Sequence, residues 1–367
     1  MPAVFRVFAI ALVAALLPTA TIVAAADVEA IRAALTRGGA FLVEHEQAAD
    51  GSFSADVGPA VTALAVTALV RSGMPATAPA VQQGLAYLLS FRQPDGGLYV
   101  PGSPVANYET SIGLLALAAC NTDGSLDDAI EAAAEYVKRL QWDDGEGRGM
   151  ADPAYGGAGY GKKSRPDLSN TQFMVEALRT IGTSENDPAI QRALAFVSRT
   201  QNLPGPHNPL PFPEKNPDGG FYYTPADGGE SQAGTTPEGG LRSYGSMTYA
   251  GLKSMIYAGL TKDDPRVKAA IAWLGKHYTF AENPGMGDAG LYYYFHTAAK
   301  SLDVLGAETF TDAQGREHDW RDELSTAIIA RQREDGSWKN ANERWMEGET
   351  DLATSYALLA LSSCLPK

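Results

Sequence analysis

Carboxylates standing close to aromatic rings are the residues of this chain whose types and spacing could do chemistry. Glu109 follows Tyr108, Asp167 precedes Asn170 and Phe173, Asp288 precedes Tyr292 and His296, and Asp351 precedes Tyr356. A carboxyl group crowded by other carboxylates, or drawn out of water, has its pKa raised and becomes a usable general acid. Aromatic faces beside it can stabilise the cation that protonation creates. The candidate acids are therefore Asp167, Glu109, Asp351 and Asp288. Tyr108, Asn170, Phe173 and Tyr244, with Tyr249, Tyr292, His296 and Tyr356, are the residues that could hold a ligand. Each has a plainer reading as well. Asp and Asn are favoured helix N-caps and acids sit well at a helix N-terminus, while aromatic rings can fill an axis and His296 can be a core histidine.

Something must bring these scattered residues together, and the chain supplies a repeat. A glutamine recurs at Gln47, Gln93, Gln141, Gln201 and Gln332, with Tyr278 in the fifth place, and an apolar pair stands four and five residues before each. A threonine recurs at Thr62, Thr110, Thr171, Thr248 and Thr354, with Phe295 in the fifth place, and Leu or Met follows seven residues later. Six registers agreeing at both ends define a repeat architecture. Each unit reads as an amphipathic helix, a turn-rich loop and a second helix that is apolar nearly all round. The half-exposed first helices belong outside and the apolar second helices inside. Because Leu358 to Leu365 is as apolar as any inner helix and forms no polar cap, the stack is expected to close into a ring. The long outer-to-inner loops then gather at one end, at the inner-helix N-termini, and any site is expected there. The longest, residues 202–244, is read as a lid.

Composition narrows the function. The chain has 367 residues, 45% of them hydrophobic and 20% charged, with a net charge of −14. That sign opposes phosphate backbones, and no Lys/Arg run longer than Lys162-Lys163 offsets it, so nucleic acid is not an expected partner. Arg6, an apolar run from Val7 to Leu17, Pro18 and Ala24-Ala25-Ala26 read as a cleaved secretory signal over residues 1–26. The mature chain, 27–367, is expected to be secreted or periplasmic, with no membrane span left after cleavage. Cys120 and Cys364 are the only cysteines and are expected to be buried free thiols.

The string Gln332-Arg333-Glu334-Asp335-Gly336-Ser337-Trp338, with fainter copies at Gln47 to Phe53 and Gln93 to Leu98, resembles the QW repeat of squalene and oxidosqualene cyclases. The Asp-Gly-Gly loops and the Thr-Ser-x-Ala-Leu helix also resemble the repeats of protein prenyltransferase β-subunits. The resemblance covers the whole mature chain and implies an all-α fold, a single (α/α)6 toroid of six helix-loop-helix repeats. It implies a hydrophobic central cavity and an isoprenoid or terpenoid ligand. It does not bring the family's chemistry with it. The Asp-x-Asp-Asp and Asp-Cys-Thr-Ala-Glu acids of the cyclases are absent, as is the Asp-Asp-x-x-Asp magnesium motif. No Asp-x-Cys pair stands at an inner-helix start, so the zinc site of the prenyltransferases is not expected, and no metal or other cofactor is. Acid-initiated isomerisation or cyclisation is the activity the resemblance implies for an enzyme. A non-catalytic structural or protein-binding toroid, and a polysaccharide-active enzyme on an α/α barrel, are the alternatives.

Overall fold

The computed structural model describes residues 27–162 and 164–366; the segment read as a secretory signal lies outside them. The helices come in pairs: α1 (Val28–Phe41) with α2 (Pro59–Arg71), α3 (Pro79–Leu89) with α4 (Ala106–Cys120), and α5 (Asp127–Arg139) with α6 (Leu168–Thr180). Then α7 (Pro188–Arg199), a single turn α8 (Phe212–Lys215) and α9 (Gly245–Tyr257) form the fourth unit. The last two pairs are α10 (Pro265–Lys276) with α11 (Leu291–Val304), and α12 (Trp320–Ile329) with α13 (Thr350–Cys364). The second helix of each unit packs on the second helix of the next, from α2 through α4, α6, α9 and α11 to α13, and α13 packs back on α2. The ring is closed, and the fold is an all-α (α/α)6 toroid. In α13 nearly every residue is buried, whereas in α5 only Ala129, Ala133, Ala134, Tyr136 and Val137 are, as a one-sided surface helix requires.

The repeated residues turn out to be clasps between units. The Gln141 amide donates to Gly156 O in its own loop (2.8 Å) and to Ala189 O in the first turn of α7 (2.9 Å). Gln47 reaches Ala80 O, Gln201 reaches Arg266 O and Gln332 reaches Ala34 O in the same manner, the last sealing unit six to unit one. Carbonyls of the next outer helix are thus the acceptors, because the side-chain NH2 has two donors to place. Gln93 differs, donating to Phe91 O and Tyr99 O within its own loop. The threonines pin the same loops from inside. Thr62, Thr110, Thr171, Thr248 and Thr354 accept the backbone N–H of Phe53, Leu98, Ala158, Phe221 and Trp338 at 2.9–3.1 Å. A glycine completes the turn: Gly336 has φ +90°, and a Cβ there would stand 2.7 Å from Arg37 O of α1, so no side chain fits.

Unit five lacks the glutamine and the threonine, with Tyr278 and Phe295 in their places, and a hairpin reinforces it. Strands β1 (Phe310–Thr311) and β2 (Glu317–His318) fold over the end of α10, Ala313 N donates to Gly275 O, and Phe310 stacks on Tyr278 at 5.2 Å. Both cysteines are buried free thiols. Among the described residues no helix is long and apolar enough to cross a membrane.

Candidate functional site

Each inner helix lays a stripe of side chains, three or four residues apart, along the ring axis. On α11 the stripe is Tyr293, His296, Lys300 and Asp303; on α6 it is Ser169, Phe173, Glu176 and Thr180; on α13 it is Tyr356, Leu359 and Ser363. Their loop-side members are aromatic and meet. Phe173 lies 5.8 Å from Tyr108, 6.0 Å from Tyr293 and 6.4 Å from His296, while Tyr356 lies 5.9 Å from Tyr293 and 5.6 Å from His296. The Tyr108 and Tyr356 hydroxyls are 3.4 Å apart, and Ser169 Oγ is 3.0 Å from Tyr293 Oη. The axis is closed at this level by an aromatic plug.

Beyond the plug the stripes shorten to Thr, Ser and Leu, and a cavity of about 260 Å³ opens toward the inner-helix C-termini. Leu64, Leu115, Leu359 and Leu365 form its apolar wall, Phe173 and His296 its floor, and Arg71, Glu176, Lys300 and Asp303 its charged wall. This end is opposite to the one expected, and the cavity is half polar rather than apolar. Long loops did not mark the space; the size of the axial side chains did.

Glu176 and Lys253 form a fully desolvated ion pair behind this wall. Burial alone would raise the Glu176 carboxyl, but Lys253 and Lys300 hold it below the usual carboxylate range. Burial pushes His296 down to about 4, so its imidazole is neutral at pH 7. Its Nδ1 is buried with no hydrogen-bond partner.

At the loop end the four candidate acids do not converge. Asp167 is the N-cap of α6, accepting from Asn170 N (2.8 Å) and Asn170 Nδ2 (2.7 Å), and burial pushes its pKa up to about 6. Glu109 lies against Gly58, where a Cβ would come within 2.5 Å of its Oε1, and its Oε2 is buried without a partner. Asp351 accepts from Ser54 Oγ (2.6 Å) on the seam between units six and one. Burial, not a neighbouring carboxylate, is the first cause of the raised pKa at both Glu109 and Asp351. Asp288 is exposed, and only its backbone carbonyl is engaged, by Asn340 Nδ2 (2.7 Å). An inner-helix start therefore gathers carboxylates at one end of the ring without pointing them at one another.

Of the other candidates, Tyr108, Phe173, His296 and Tyr356 meet on the axis, but only Phe173 and His296 line the cavity. Asn170 serves Asp167, and Tyr244 is the buried N-cap of α9. Tyr249 packs on Tyr294 (5.8 Å) and Tyr292 on Phe295 (5.9 Å). Sequence reasoning missed Arg71, Glu176, Lys253, Lys300 and Asp303. Their signal was present: one or two charges, Arg71 in α2, Glu176 in α6, Lys253 in α9, Lys300 with Asp303 in α11, inside helices that are otherwise largely uncharged. It also missed Glu347, which accepts from Tyr293 N (2.8 Å) and caps α11, whose own N-cap Gly290 has no side chain. Among the described residues no group of three or more His, Cys, Asp or Glu is arranged to hold a metal ion.

Comparison with known proteins agrees with the ring. The family profile of the squalene-hopene cyclase C-terminal domain matches residues 46–221. The apo type II terpene cyclase MstE from Scytonema superposes with a TM-score of 0.52 at 13% identity, over 91% of this chain and 98% of that one. Two MstE variants align similarly. One holds its substrate geranylgeranyl dihydroxybenzoate (TM-score 0.52, 13% identity, 92% and 97% covered) and one its product merosterolic acid A (0.51, 14%, 92% and 96%). At such identity these likenesses speak for the fold. A search of curated proteins finds no match. Residues 46–221 are thus similar to the squalene-hopene cyclase C-terminal domain, and the whole ring shares the fold of the type II terpene cyclase.

Proposed function

We propose that this protein is an exported toroid that binds a small isoprenoid-like ligand in its axial cavity and carries it without acid-initiated conversion. The observation that carries the reading is the cavity itself: enclosed by five inner helices, floored by an aromatic ring and walled on one side by leucines. At about 260 Å³ it falls just below the ~300–1,000 Å³ of pockets for drug-sized ligands, which suits a short chain. The isoprenoid substrate held by the structurally similar MstE supports that ligand class. Asp167 has the pKa of a general acid, but its carboxylate is committed to the α6 N-cap and lies on the loop side of Phe173, away from the cavity.

A second reading, a non-catalytic structural or protein-binding toroid, is favoured by the aromatic plug that fills half of the axis. The polysaccharide reading has less support, because none of the four candidate acids lines the cavity. Native mass spectrometry of protein purified from its own host, followed by organic extraction, separates the first two. A co-purifying apolar or amphiphilic molecule is expected. An empty, well-folded protein that also fails to take up added short-chain isoprenoids returns the toroid to a structural role. N-terminal sequencing of the exported protein, expected to start near Asp27, tests the secretory segment.

A further inference from the structure

The charges around the cavity do not cancel. Glu176 is neutralised by Lys253, and Asp303 lies 3.6 Å from the Arg321 guanidinium. Arg71 and Lys300 make no hydrogen bond or ion pair with any described residue, and both line the cavity, approaching it from helices that flank α13. Arg71 is exposed, and half-buried Lys300 acts on Glu176 only through space; with Glu176 already held by Lys253, two cations on one small cavity stand out in a chain of net charge −14. The end of α2 gives Arg71 some compensation, since the dipole of a helix favours a cation in its last turn. Lys300 lies a full turn before the end of α11, half-buried in the wall, where that effect has faded. The second sign of a ligand is His296, more than nine-tenths buried, with Nδ1 unpartnered and its ring on the cavity floor. A buried polar atom left without a partner is uncommon in a folded protein and points to a group that completes it.

We infer that the cavity's ligand is an amphiphilic anion, its carboxylate or phosphate-ester head held by Lys300 and Arg71, with His296 Nδ1 one turn away on α11 as a further polar contact, and its apolar body laid along Leu64, Leu115 and Leu359. This rests on the ligand-binding reading above and names the head group. A carboxylate or phosphate oxygen makes charge-assisted hydrogen bonds to both side chains, and the partly enclosed site weakens screening of the attraction. Glu176 does not repel the head because Lys253 holds its charge at contact distance.

The test is titration calorimetry of the folded protein with a matched set of probes: geraniol, geranic acid and geranyl phosphate. The acid or the phosphate is expected to bind about tenfold or more tightly than the alcohol, and the tighter of the two identifies the head. Lys300→Met and Arg71→Gln should each weaken the anions about tenfold and leave the alcohol unchanged, with thermal unfolding confirming that both variants fold. Anion affinity should fall with added salt. Equal binding of alcohol and anions, or variants that weaken all three probes alike, overturns the anionic head while leaving the binding reading intact. Failure of all three probes to bind overturns both.

Discussion

The same inner helices build both ends of the axis, and they leave opposite things there. On the loop side α4, α6, α11 and α13 contribute Tyr108, Phe173, Tyr293 and Tyr356, and the rings meet. One to two turns further along, the same helices contribute Leu115, Glu176, Lys300 and Ser363, and a cavity remains. A ring of this size is filled by large rings from four helices and is left open when smaller or charged side chains replace them. The loop side, with its long loops and caps, holds the units together. The other side keeps the space.

The largest effect should come from the open end. Lys253→Met leaves Glu176 buried and unpaired and should lower stability by ~4 kcal/mol, whereas Glu176→Leu with Lys253→Met should recover most of it. Denaturant unfolding of the two variants decides, and equal losses would show that the pair does not act as a unit.

Phe173→Ala attacks the boundary between the ends. It should cost ~3 kcal/mol, at the low end for buried aromatics because the ring already borders open space, and it should deepen the cavity enough to admit longer chains. If longer isoprenoids bind no better to this variant, Phe173 is not the floor.

The ends should also respond to pH with opposite sign. Asp167 is raised from 3.8 to about 6 in the folded state, so its contribution is present below pH 3.8 and is lost as pH rises through about 6. His296 is lowered from 6.5 to about 4, so its contribution is present above pH 6.5 and is lost as pH falls through about 4. Each is worth on the order of 2–3 kcal/mol, and in the wild type they largely offset each other between about pH 4 and 6.5. Asp167→Asn, which keeps an N-cap, should leave stability rising with pH over this window. His296→Gln should leave it falling. Parallel slopes in the two variants would contradict the assignment.

The smallest change in stability is expected for Leu115→Phe, which fills existing space and should alter stability by less than ~1 kcal/mol. Ligand binding should nevertheless be lost. A large destabilisation would mean that the wall cannot accept the ring.

Much of this fold was legible in the chain before any coordinates. The glutamine and threonine registers marked where loops are tied down, because one hydrogen-bonding job recurs at each unit boundary and needs the same side chain each time. Unit five showed its departure in the sequence, at Tyr278 and Phe295, but the compensating hairpin did not announce itself. Asp167 with Asn170 was recognisable as a cap as readily as an acid, and it is a cap with an acid's pKa. The position of the cavity was not legible, and the expected gathering of Glu109, Asp288 and Asp351 around one mouth did not occur.

The sequence by itself determined the helical period, the inner and outer assignment and the order of the units, because these follow from local spacing of apolar residues and from turns that tolerate few alternatives. Tertiary structure alone decided where the axis is filled and which charges are cancelled. Glu176 and Lys253 are 77 residues apart, and Tyr108 meets Tyr356 across 248. Whether such side chains close a space or frame one depends on how far the closed ring brings their helices together, and that distance is set by all six units at once.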